Sequence, residues 1–411
     1  MTSTLEQTRQ TPARPGTAAD LLRREDALGA HNYKPLNVVI HRAQGSWVWD
    51  TDGRRYLDCL SAYSAVNQGH CHPRIIGALT EQAQQVTLTS RAFRNDRLAA
   101  FYETVTRLLN FEAVIPMNTG AEAVETAIKL ARKWAYEVKG VAHHQAEIIV
   151  MDGNFHGRTT TLVSFSSEGQ YKDAFGPLTP GFVRVPYGDA AAIEAAITPN
   201  TAAVLYEPIQ GEAGVIVPPE GFLTALRGVC DRHGVLMIAD EIQTGLGRTG
   251  QWLAGDHESA RPDVVILGKA LGGGVYPVSA VLASRAVMDL FQPGDHGSTF
   301  GGNPLAAAVA QASLEVLEDE NLPARAAELG EYLRGRLRAM NSPLVKEVRG
   351  RGLLIGVELH VPARPYCEAL RDLGVLCKET HETTMRLAPP LVTTREDLDW
   401  ALERIEQVLR G

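Results

Sequence analysis

The chain of 411 residues is 45% hydrophobic and 21% charged, with a formal net charge of −8. That is the composition of a globular protein long enough for two or three packed regions with sizeable cores. The acidic balance supplies no global basic field for nucleic acid or an anionic membrane surface. The five cysteines are odd in number and form no CxxC pair, which points to reduced thiols in the cytoplasm and away from a disulfide framework or zinc ribbon.

The first twenty residues, MTSTLEQTRQTPARPGTAAD, lack an apolar signal core and read as a disordered tail. No run approaches the roughly 18 apolar residues of a membrane span. From AVIPMN (113–118) onward, short apolar runs alternate with helical patterns. The first leads into a helix over 121–138, where Ala121, Val124, Ala127, Ile128, Ala131 and Trp134 recur at helical spacing. EIIVMD (147–152), TLVSFS (161–166), AAVLYE (202–207), VLMIAD (235–240) and DVVILG (263–268) are nearly all apolar, as befits strands buried on both faces of a parallel sheet. Segments such as 221–233 supply the crossover helices. After Pro304 come long helices over 305–318 and 324–340, a strand over 351–359, and helices over 365–373 and 395–409 around short strands. The expected fold class is α/β: a large domain (65–318) with a mostly parallel central sheet flanked by helices, then a smaller α+β domain (319–411). The segment 1–64 is expected to pack on the small domain.

Ligands of such sheets bind beyond the carboxyl ends of the strands, so LMIADEIQTGLGRTG (236–250) is the stretch to explain. Its tail matches GxGxxG. However, four residues separate Asp240 from Gly245, and the following QWLAGDHES opens no apolar helix, so the setting of a dinucleotide site is missing. An ATPase would need GxxxxGK[ST], and Gly268-Lys269 is followed by Ala270. A third reading pairs Asp240 with Lys269, which ends the next strand-like run 29 residues later, about one crossover unit. Adjacent strands would bring that acid and amine to one sheet edge, either as a structural salt bridge or as a site. Lys269 lies between an apolar strand and the glycine-rich turn 270–274. Such a turn admits something bulky to the backbone, and an enclosed lysine has the lowered pKa that a Schiff-base amine requires. Thr119-Gly120 at a helix start is either an anion site or an N-cap with a turn glycine. Lysine, strand-end aspartate and glycine-marked helix start together describe a site for pyridoxal 5′-phosphate. His70 and His72 flank Cys71 without a second ligand cluster and read as structural, so no metal is expected.

These residues sit in a series of segments: HNYKPL (31–36), SAYSAVNQGHCHP (61–73), TSRAF (89–93), MNTGAEAVETA (117–127), NFHGRT (154–159), EPIQGEAGV (207–215), LGKALGGGVYPVSAV (267–281), HGSTFGGNPL (296–305) and RLAPPL (386–391). In this order the chain resembles the class III aminotransferases, pyridoxal-phosphate enzymes of fold type I, over nearly its whole length, and among them the ornithine-acting members. The resemblance implies that Lys269 is the Schiff-base lysine and proton shuttle, and that Asp240 pairs with the pyridinium nitrogen. It puts Gln243 at the ring hydroxyl, Gly120 and Ala121 at the phosphate, and Phe155 on the ring face, with His156 beside it. Ser298 and Thr299 would reach the phosphate of a neighbouring subunit, which implies a homodimer with shared active sites.

For substrates the resemblance implies ornithine, which presents its δ-amine, and 2-oxoglutarate or glutamate, whose reacting carbon bears a carboxylate. Arg386 would bind that carboxylate and Glu212 would neutralise Arg386 while ornithine reacts. Arg158 would take the distal carboxylate, with Tyr33 assisting and Tyr63 near the ornithine α-amine. His156 stands where some ornithine-acting members carry tryptophan and acetylornithine-acting ones histidine, whereas Tyr33 and Tyr63 lie in segments that the latter lack. The alternatives are another ω-aminotransferase, acting on N-acetylornithine, lysine or 4-aminobutyrate, or an amino-acid racemase.

Overall fold

The computed structural model describes residues 16–410. Residues 1–15 of the expected tail lie outside that range, and its end is already helical: a helix runs Ala18–Leu28, with Thr17 Oγ1 accepting the Asp20 N–H. Three strands follow, β1 (Ile40–Gln44), β2 (Trp47–Asp50) and β3 (Arg55–Asp58), paired antiparallel in sequence.

The central sheet has seven strands: β4 (Ala113–Met117), β5 (Glu147–Met151), β6 (Phe182–Val185), β7 (Thr201–Tyr206), β8 (Leu236–Asp240), β9 (Val264–Leu267) and β10 (Ser279–Ala283), in the order β4-β10-β9-β8-β7-β5-β6. Pairings from β6 through β9 are parallel. β10 is antiparallel to both β9 and β4, so β4 points the same way as the parallel set. Alternate residues feed two cores. Ile149, Met151, Val204, Tyr206, Met237 and Val265 belong to one cluster, and Ile148, Val150, Ala203, Leu205, Ile238 and Ile266 to the other. Burial on both faces is why these strands read as unbroken apolar runs.

TLVSFS is the exception. It forms no strand: Thr160–Ser164 is a short helix, with Thr159 Oγ1 accepting the Leu162 N–H. The threonine cap offers helical amides a partner, and the place beside β5 goes to β6 instead. Neither the short edge strand β6 nor the antiparallel β10 was expected.

The C-terminal part contains helices Pro304–Asp319 and Leu322–Ala339, then β11 (Val345–Arg351), β12 (Leu354–Leu359), helix Arg364–Asp372, β13 (Val375–Leu376), β14 (Lys378–Thr380), β15 (Thr384–Leu387) and helix Arg395–Leu409. The single strand expected over 351–359 is half of a hairpin, β11–β12, that turns at Gly352 with φ 51°. The small sheet runs β11-β12-β15-β14, while β13 pairs in parallel with β3 and ties the N-terminal strands to this end of the molecule.

Candidate functional site

The parallel strands deliver their carboxyl ends to one edge. Beyond β4 lie Gly120 and Ala121, beyond β5 Phe155 and His156, beyond β7 Glu207, at the end of β8 Asp240, and beyond β9 Lys269. Asp240 and Ile266 are register partners on adjacent strands, so the acid and the lysine meet at one sheet edge. Together with Gln243, Ile242, Thr244, Gly157 and Ile209 these residues line a cavity of about 170 Å³.

Asp240 is buried and held on both oxygens. His156 Nδ1 lies 2.7 Å from Oδ2, and the Ile242 N–H donates to Oδ1 at 3.1 Å. Burial pulls the His156 pKa down, but the hydrogen bond and charge of Asp240, with Glu207, outweigh it and leave the pKa raised. His156 Nε2 is buried without a partner among the described residues. Lys269 has φ 40°. Burial, with Arg386 adding, holds its amine below the usual lysine range against the opposing pull of Glu212, Asp240 and Glu207. A desolvated amine on a backbone held in the left-handed region can act as a nucleophile near neutral pH.

Thr119 caps the helix Gly120–Glu137 in a reciprocal box with Glu122. The box occupies the Thr119 and Glu122 N–H groups. The amides of Gly120 and Ala121, in the first turn, have no intrahelical acceptor and favour an anion. A Cβ on Gly120 would meet Ile242 Cδ1 at 3.0 Å, so a side chain here would have to push the end of Ile242 aside. These features (an anion-binding helix start, a locked carboxylate at depth, an aromatic wall from Phe155 and a desolvated amine) fit pyridoxal 5′-phosphate.

A larger cleft of about 580 Å³ adjoins the cavity, lined by Tyr33, Tyr63, Phe155, Arg158, Glu212 and Arg386, among others. Arg386, on β15, is 1% exposed. Its Nη1 donates to Glu212 Oε1 at 2.6 Å, and Gln243 Nε2 donates to the same oxygen at 3.1 Å. Burial would raise the Glu212 pKa, but Arg386 overrides that and lowers it. The Arg386 guanidinium lies 4.7 Å from the Tyr63 ring. Tyr63 sits in a left-handed run, Ser61–Ser64, braced by Asp58 accepting the Leu60 and Ser61 N–H groups. Arg158 is exposed and makes no ion pair among the described residues, stacking instead on Tyr171 at 4.4 Å. Tyr33 is 71% exposed at the cleft wall.

Ser298 and Thr299 do not line the cavity of their own chain. Ser298 Oγ accepts from Asn118 Nδ2 at 2.8 Å, and Thr299 is exposed. His70 is engaged by Asp58 and His72 by Glu320, and no metal-binding cluster occurs among the described residues. Arg248 of the GLGRTG turn is wholly buried, bonded to Asn67 and to the carbonyls of Leu353 and Pro389. Glu207, Tyr171 and Thr380 also lie at the site without being expected from the sequence. Only Glu207 carried a signal, as the first residue of EPIQGEAGV.

The chain belongs to the class III aminotransferase family, whose model matches residues 28–409. An ornithine aminotransferase of Bacillus subtilis is 62% identical over 93% of this chain and 96% of its own. The ornithine aminotransferase of Toxoplasma gondii ME49 superposes with a TM-score of 0.95 at 45% identity, covering 96% of each chain. An acetylornithine aminotransferase from Elizabethkingia anophelis is 49% identical with a TM-score of 0.88, over 96% of this chain and 99% of that one.

Proposed function

We propose that this protein transfers the δ-amino group of L-ornithine to 2-oxoglutarate in a ping-pong cycle, giving glutamate 5-semialdehyde, which cyclises to pyrroline-5-carboxylate, and glutamate. The observation that carries the reading is the closed Arg386–Glu212 pair at 2.6 Å, with Arg158 in the same cleft making no ion pair among the described residues.

Bound in the small cavity, pyridoxal 5′-phosphate supplies a carbonyl that takes up and returns the amino group, and a ring that draws electrons from the reacting carbon. The Gly120 and Ala121 amides would hold its phosphate, Phe155 would cover the ring, Gln243 would meet the ring hydroxyl, and Asp240, steadied by His156, would keep the ring nitrogen protonated. Lys269 Nζ moves the proton at the substrate carbon that bears the transferred amine. Its lowered pKa leaves more of it neutral for that step. Arg158 binds the far carboxylate in both half-reactions. With ornithine, Glu212 neutralises Arg386, so the α-carboxylate has one cationic seat and the δ-amine points inward. Glutamate brings a second carboxylate that displaces Glu212 from Arg386. Tyr33 and Tyr63 shape the ornithine end.

The active unit is proposed to be a homodimer acting in the cytoplasm. Ser298 and Thr299 do not line the cavity of their own chain, and Phe93 and Phe300 are 73% and 48% exposed, apolar surface of the kind an interface covers. No described helix is long and apolar enough to cross a membrane. The test is an amino-donor panel with 2-oxoglutarate on cofactor-loaded protein, trapping pyrroline-5-carboxylate. Ornithine should be fastest; N-acetylornithine, lysine or 4-aminobutyrate fastest would refute the substrate assignment.

A further inference from the structure

Glu212 rises on a loop whose root and whose back belong to different sheets. The chain leaves β7 at Tyr206 and turns tightly, with Gln210 and Ile216 exchanging backbone hydrogen bonds at 3.0 and 2.9 Å. Within that turn Gly214 has φ 110° and Val215 φ 56°. A β-branched residue in the left-handed region persists only where its surroundings impose it.

What imposes it comes from the small sheet. Arg349, on β11, donates from Nε and Nη2 to the Gly214 carbonyl at 3.0 and 2.8 Å, and from Nε to the Val215 carbonyl at 3.2 Å. Its Nη2 also donates to Thr384 Oγ1 on β15, and Nη1 is anchored by Glu347 and Glu358. Thr380, at the end of β14, donates from Oγ1 to the Glu212 carbonyl. Gly356 on β12 packs so closely that a Cβ there would meet the Gly214 oxygen at 3.0 Å. The back of the loop is therefore clamped by four strands of the small sheet, and its tip, Glu212, faces Arg386 on one of them. A guanidinium fork satisfying the carbonyls of a strained turn fixes direction as well as distance.

We infer that Arg349 is a positioning residue for the Glu212–Arg386 gate: by gripping the Gly214 and Val215 carbonyls it holds Glu212 over Arg386 and thereby keeps ornithine reacting at its δ-amine. The inference rests on the ornithine reading proposed above. Loosening the clamp frees Arg386 for a carboxylate next to the reacting amine, so one substrate gains while the other loses. General destabilisation has no such signature.

The experiment compares R349Q and R349K with T380V, which removes the other clamp bond with little change in shape. Each is assayed with ornithine and with glutamate, products are distinguished by NMR as pyrroline-5-carboxylate or pyrroline-2-carboxylate, and glutarate binding to the cofactor-free protein is followed by calorimetry. For R349Q we expect kcat/KM for ornithine to fall about tenfold, KM for glutamate to fall several-fold, glutarate to bind several-fold tighter, and the pyrroline-2-carboxylate fraction to rise. R349K should recover part of the change and T380V should shift in the same direction. Equal losses with both substrates, or an unchanged glutamate KM and product ratio, would overturn the assignment of Arg349. If E212A also leaves the product ratio unchanged, the gate itself fails; if the wild type does not use ornithine, the substrate reading fails.

Discussion

Removing the acid of the Arg386–Glu212 pair should alter stability and regiochemistry together. In E212A the guanidinium, 1% exposed, keeps, among the described residues, contacts at 3.5 Å with the Gly211 carbonyl and Gln243 Oε1 and one with the Tyr63 ring at 4.7 Å. Breaking a fully buried pair costs roughly 3–5 kcal/mol. The Glu212 side chain is 26% exposed, so water relieves part of that, leaving about 2–3 kcal/mol. In a chain of this size such a loss lowers Tm by about 2–4 °C. A dicarboxylate should return it: glutarate at about 100 times its Kd contributes about 2.7 kcal/mol, and the variant should bind it more tightly because no internal carboxylate competes. The same vacancy should draw the ornithine α-carboxylate to Arg386 and raise attack at the α-amine. The assays are thermal unfolding with and without glutarate and NMR of the ornithine products. An unchanged product ratio, or glutarate stabilising variant and wild type equally, refutes the reasoning.

Other substitutions test the remaining parts. K269A should lose the absorption band of the Schiff base between lysine and cofactor, and transamination with it; an unaltered spectrum and rate would remove Lys269 from its role. D240N preserves shape but not charge, and should keep the fold while lowering kcat by about 10²–10³-fold or more; wild-type turnover would count against the ring-nitrogen assignment. R158Q should raise KM for ornithine about 10–100-fold, the value of a charged hydrogen bond, without moving Tm, because the side chain is exposed; an unchanged KM would place the distal carboxylate elsewhere. Glu241, buried and taking the Gly255 N–H, is pushed up from 4.5 to about 7, mainly by burial. Its folded pKa exceeds its unfolded one, so the unfolded chain releases the proton first, and stability falls as pH rises from about 4.5 to 7, then levels. E241Q should therefore gain on the wild type over that window by something on the order of 3 kcal/mol. Urea unfolding of the cofactor-free proteins at both pH values measures it, and a pH-independent difference rejects the assignment.

Much of the fold was legible because burial leaves a local trace. Strands covered on both faces are apolar throughout, which made β5, β7, β8 and β9 readable, and helix Arg395–Leu409 was expected at its observed bounds. A six-residue apolar run carries too little periodicity to separate strand from helix, so TLVSFS was misread; the Thr159 cap and the occupied place beside β5 decided it. Short edge strand β6 and antiparallel β10 left no comparable mark.

The chain alone determined which chemistry-bearing residues exist and that Asp240 and Lys269 close successive strands, because parallel crossovers constrain where strand ends go. It did not determine that β8 and β9 are neighbours, that His156 braces Asp240, or that Glu212 lies 2.6 Å from Arg386 across 174 residues of sequence. Those contacts arise between elements distant in sequence, set by strand order and by the docking of the small sheet on the loop after β7. Periodicity and composition describe only the neighbourhood of a residue along the chain, so only the packed structure could supply them.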